Sequence, residues 1–213
     1  NYMYDETGAL KEWAAAEFAE NNSHRHLSHL YCVWPMFETQ NDIALKNACI
    51  QAITNRASEN QASHALVHRA LIATRLKDRK AVTDSLVGLT NSWIYYDSLM
   101  TNHDYDRNSC YCTDFAIGYL GIVNESLIYS YGNEIQLLPA VPVSGYESGE
   151  ICGIRTRNRA IVDSLKWDLK AGKATAAVTS DIAQTIKISC ALSGETKTVT
   201  FAQGETKTVD FTF

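Results

Sequence analysis

No uninterrupted run of about 20 apolar residues occurs in this 213-residue chain, so no helical membrane span is expected. A basic block is also missing. Lys and Arg number 19 against 24 Asp and Glu, a formal net charge of −5, which removes the electrostatic basis for binding nucleic acid or an anionic membrane surface. The chain opens Asn1-Tyr2-Met3 without the charged region and apolar core of a secretory signal. That start reads as the interior of a longer polypeptide, either a processed product or an excised piece. The cysteines Cys32, Cys49, Cys110, Cys112, Cys152 and Cys190 are too scattered for a small disulfide scaffold, and they leave the compartment open. Cys110 and Cys112 could join His64 and His68, which share a helix face, around a zinc ion. The spacing is that of no common zinc motif, and a free cysteine is usually a small buried apolar residue, so no metal is expected. Strand–helix alternation is lacking too, which excludes a parallel α/β architecture.

What is present is ordinary for a globular chain: 46% apolar and 20% charged residues, with length for one large domain or two small ones. Residues 1–131 read as helical. Asp42 precedes Ile43, Cys49, Ile50 and Ile53 at helical spacing, a segment ending near Ser58-Glu59-Asn60. A second helix covers Ala62 to Leu76, and a third runs from Arg79 through Leu86, Leu89 and Trp93. A fourth is capped by Thr113-Asp114, carries Leu120, Val123, Leu127 and Ile128, and stops at Gly132-Asn133. The polar, aromatic loop 101–112 leads into it. From Glu134 onward the period is two. Ile161, Leu165, Trp167 and Leu169 form one face, then Ala174, Ala176 and Val178, then Ile186, Ile188 and Cys190. A repeat closes the chain, Gly194 to Phe201 and Gly204 to Phe211, expected as consecutive strands of an antiparallel sheet. The fold class is therefore α+β with segregated halves. Helices apolar around much of their surface, such as Ala65 to Ala73, require further neighbours.

Chemistry concentrates in His24-Arg25-His26-Leu27-Ser28-His29-Leu30-Tyr31. Three imidazoles and a guanidinium within six residues are costly to bury without partners, whereas a site for a hydroxyl-rich ligand gains from them. The competing reading is a solvated, capped helix start.

Leu10-Lys11-Glu12-Trp13, this histidine cluster and Trp34-Pro35 together resemble the late part of the catalytic barrel in glycoside hydrolase family 95. So do the run from Ser63 to Ala81, Asp114 followed by Gly118, and Glu134-Ile135-Gln136-Leu137-Leu138-Pro139-Ala140-Val141-Pro142. Gly153-Ile154-Arg155 and Val162 to Trp167 resemble the start of the family's C-terminal β-domain. The resemblance implies the last helices of an (α/α)6 barrel in residues 1–131 and an antiparallel β-sandwich in residues 132–213. It implies an exo-acting, inverting enzyme of the α-L-fucosidase type, needing no cofactor and no metal. Its partners would be a glycan or oligosaccharide and the preceding part of the same polypeptide.

By the same resemblance, Asp114 falls on the family's general base, and its place at a helix start favours a negative charge. A plain helix cap is the commoner role of such an aspartate. Arg25 and His26 fall on residues that contact the sugar, and Trp13 is a weaker candidate for stacking on it. His24 and His29 are expected to hold the segment together, His64 and His68 to partner buried helix groups, and His103 to be exposed. Two departures bear on sugar choice and on activity. Phe115-Ala116-Ile117-Gly118 stands for the family's Gly-Asn-Phe-Gly, and Gln61-Ala62-Ser63 for its Gly-Trp-Ser. The resemblance places the general acid and the water-orienting asparagines upstream of residue 1, so this chain alone is expected to hydrolyse nothing. A non-catalytic carbohydrate-binding or scaffold protein derived from such an enzyme is the alternative. The parent is expected to be secreted, periplasmic or at the cell surface, where glycans are met.

Overall fold

The computed structural model describes residues 2–56, 62–90 and 111–213. They belong to two compact units, Asn1–Ile122 and Val123–Phe213. Residues 101–110 of the expected loop, with His103 and Cys110, and also Ser58 to Gln61 and Trp93, lie outside the described residues.

In the first unit the helices are α1 (Ile43–Asn55), α2 (Ser63–Leu76), α3 (Arg79–Leu89) and most of α4 (Thr113–Leu127). Two of the starts have a side-chain cap. The Asp42 carboxylate accepts from the Leu45 amide at 2.9 Å to cap α1, and Asp78 accepts from the Ala81 amide at 2.9 Å to cap α3. Between α2 and α3, Lys77 takes a left-handed φ of 65°, which turns the chain within one residue. The expectation of helix throughout residues 1–131 fails before α1, where the described residues hold only the 3-10 turns Ser28–Cys32 and Glu38–Gln40. Clustered polar heads give no 3.6-period apolar stripe there, and Pro35 restricts Trp34 away from helical geometry. Leu27, Leu30 and Val33 instead anchor this irregular segment in a buried cluster with Leu45, Cys49 and Ile53 of α1 and Ile72 and Leu76 of α2.

The end of α4 also departs from expectation. Ile128 leaves the helix, and Ile128–Tyr131 is a strand (β1) paired antiparallel to Glu134–Leu137 (β2). Ile-Tyr-Ser-Tyr is strand-favouring, and Gly132, with φ of 54°, makes the two-residue turn with Asn133. The remaining strands are β3 (Ser148–Arg155), β4 (Ala160–Asp168), β5 (Lys173–Ser180), β6 (Gln184–Cys190), β7 (Thr196–Phe201) and β8 (Thr206–Thr212). They form two four-stranded sheets, ordered β1-β2-β6-β7 and β3-β4-β5-β8; the β2–β6 pair is parallel and the others are antiparallel. Side chains of both sheets share one buried cluster, with Ile135, Ile186, Ile188 and Phe201 from one and Val162, Leu165, Val178 and Phe211 from the other.

Two details correct the strand reading. A bulge between Val162 and Ser164 shifts the parity of β4, so Ala160 and Val162 are buried with Leu165 and Trp167, while Ile161 is only half-buried. The two repeat copies do not pair with each other. β7 pairs with β6, and β8 pairs with β5 in the other sheet. Each copy ends one sheet and sends its phenylalanine into the common core. Lys197 Nζ donates to the Asp210 carbonyl at 2.5 Å and Lys207 Nζ to the Thr200 carbonyl at 2.6 Å, so the repeated lysines cover each other's edge.

Candidate active site

A cleft of about 450 Å³ opens in the first unit. Its walls are the irregular segment, with His26, Tyr31 and Trp34; α2, with His64, Val67 and His68; and the first turns of α4, with Thr113, Asp114, Ile117 and Gly118. Gly118 allows α4 to approach α2 closely. A Cβ there would stand 2.4 Å from Val67 Cγ1, well inside contact distance.

The imidazoles form a chain of ring contacts. His26 lies 4.9 Å from His24 and 5.1 Å from His64, centroid to centroid. His68 lies 5.4 Å from Tyr31 and 5.9 Å from Trp34. Burial pushes His68 below the ordinary histidine range, and a hydrogen bond with the Trp34 backbone works against that shift. A neutral imidazole both donates and accepts, and beside two aromatic rings it suits a ligand carrying hydroxyls on an apolar ring.

Three arginines, of which Arg56 is buried, hold these walls in place. Arg56, only 1% exposed, follows α1; its Nη1 donates to the His26 carbonyl at 2.5 Å and its Nη2 to Glu12 Oε2 at 2.9 Å. Glu12 also accepts from Ser28 Oγ at 2.8 Å. Burial alone would push the Glu12 carboxyl up, but the Arg56 and Ser28 hydrogen bonds and the Arg56 charge hold it below the usual carboxylate range. Arg69 on α2 donates to the carbonyls of Arg56 and Ile53 at 2.8 and 2.9 Å, closing the C-terminal end of α1. Arg75 Nη1 reaches the carbonyls of Val33, Pro35 and Met36, at 3.0, 2.9 and 2.6 Å, and fixes the turn that carries Trp34.

Of the residues singled out from sequence, Asp114 and His26 are brought to one cleft, and both are exposed. Asp114 lies in the first turn of α4, inside the helix rather than at its cap. Arg25 is half-buried and is not among the cleft's lining residues. Nor is Trp13, which is 47% exposed and packs edge-on against Phe18 at 5.6 Å. His64 and His68, expected to serve buried helix groups, line the cleft, as does Trp34. Their signal was present as an i, i+4 pair on a helix and a tryptophan beside the histidine cluster. Arg56 was not foreseen. No group of three or more His, Cys, Asp or Glu able to hold a metal occurs among the described residues, and no described helix is long and apolar enough to cross a membrane.

The family model described as the glycosyl hydrolase family 95 catalytic domain matches residues 1–127. An Alpha-L-fucosidase 2 of Arabidopsis thaliana is 27% identical over 168 residues, which cover 75% of this chain and 20% of that relative. The chain thus spans about a fifth of the length of the curated relative it matches.

Proposed function

Because the chain belongs to glycosyl hydrolase family 95, we propose that it is the C-terminal part of an inverting exo-glycosidase that removes terminal α-L-fucosyl or related residues from glycans. One observation carries this reading: an exposed carboxylate, Asp114, shares a cleft with the His26 imidazole and two aromatic side chains. In this proposal Asp114 is the general base that takes a proton from water, at the helix end where the dipole favours negative charge. His26 donates to a ring hydroxyl. Arg25, in the same backbone segment, and Trp13 join the sugar contacts once the rest of the enzyme completes the site.

Inversion requires a second carboxyl, about 6.5–9.5 Å from the first, to protonate the leaving oxygen. Asp114 supplies the one carboxylate among the cleft's described lining residues. The general acid is therefore assigned to the preceding part of the polypeptide, and the 213-residue chain alone turns over no substrate. The helical unit becomes the end of an (α/α)6 barrel and the sheet unit a β-sandwich. Ile117 and Leu120 on α4, 76% and 66% exposed, are apolar surfaces that such a barrel would cover. The parent enzyme would act outside the cytoplasm.

Proton NMR during hydrolysis of an aryl α-L-fucoside by the full-length enzyme tests the proposal. The β-anomer of fucose should appear first. The α-anomer first would exclude inversion, and binding of fucosides without turnover would favour the carbohydrate-binding alternative.

A further inference from the structure

Two sulfurs in the first unit stand in contact away from the cleft's lining. Cys32 Sγ, on the 3-10 turn Ser28–Cys32, lies 3.6 Å from Cys49 Sγ on α1. The side chains are 4% and 0% exposed and belong to the cluster that seats the irregular segment on α1. We propose that Cys32 and Cys49 form a disulfide that anchors the histidine-bearing wall of the cleft to α1.

The geometry requires little. The sulfurs must close by roughly 1.5 Å to reach bonding distance. The position is also informative. Tyr31, next to Cys32, lines the cleft, and Arg56, immediately after α1, holds the His26 carbonyl at the other end of the same segment. The bond would thus secure one end of the wall covalently while Arg56 secures the other by hydrogen bonding. In the folded chain the thiol–thiol hydrogen bond pulls the Cys32 thiol below the ordinary cysteine range and pushes Cys49 up.

The oxidant is a small disulfide such as oxidised glutathione, met while the chain folds. The thiolate of one cysteine attacks one oxidant sulfur and expels a thiolate, giving a mixed disulfide. The other cysteine, losing its proton, then displaces the second thiol. One oxidant disulfide is reduced to two thiols, and two protein thiols become one disulfide.

The test refolds the full chain in a buffer of reduced and oxidised glutathione, alkylates it under denaturing conditions, and maps its peptides by mass spectrometry. A peptide joining Cys32 to Cys49, two hydrogens lighter than the separate pair and released by dithiothreitol, is expected. Dithiothreitol should then lower the Tm of the wild type by about 5–10 °C and leave a Cys32→Ala/Cys49→Ala variant unchanged. Recovery of both residues singly alkylated, or of either joined to another cysteine, would overturn the disulfide. An unmoved wild-type Tm would overturn its anchoring role.

Discussion

His29 shows how one side chain can couple the cleft's support to pH. Burial, and after it the Arg56 charge, takes its imidazole from 6.5 down to about 4. Between those values the unfolded chain binds a proton that the folded chain refuses, so stability falls as pH drops from about 6.5 toward 4 and is fully present above 6.5. The lowered His68 acts in the same direction. A Tm series from pH 7.5 to 4.5 should decline through this window, and His29→Gln should flatten the decline; an unchanged slope in the variant would contradict the assignment. The chemistry of single residues was partly legible in the sequence. The histidine cluster drew attention to His26 by composition, whereas Asp114 was singled out only through the family resemblance; the structure places both on one cleft. Arg56 was not legible, because its partners Glu12 and His26 lie 44 and 30 positions away, and nothing local marks a guanidinium that will be buried.

Elements were read best where local chemistry decides them. The start of α1 after Asp42 and the period-two pattern of β5 and β6 needed no tertiary information. The misses came where partners decide. Ile128–Tyr131 is a strand because Glu134–Leu137 pairs with it, and the β4 parity depends on one bulged residue. The C-terminal repeat looks like a hairpin until β5 and β6 claim its two copies separately. At this scale the close approach of α4 to α2 is directly testable. Gly118→Ala places a methyl against Val67 and should cost about 1–3 kcal/mol of stability, measured by denaturant unfolding, with Val67→Ala in the same chain restoring most of the loss. A neutral Gly118→Ala would mean that the two helices stand further apart.

For the whole molecule, the helical unit and the sheet unit each have a buried cluster of their own, and the family match covers residues 1–127. The α+β class was legible because helical and strand periodicities occupy different parts of the chain. The resemblance already implied a general acid outside this chain, and the proposed inverting mechanism needs a second carboxyl beside Asp114, the one carboxylate among the cleft's described lining residues. The account stands on that carboxylate. The most direct measurement is kcat for an aryl α-L-fucoside in the full-length enzyme carrying Asp114→Asn. Loss of a general base predicts a fall of about 10²–10⁴-fold with KM little changed. A kcat within tenfold of the wild type would contradict it.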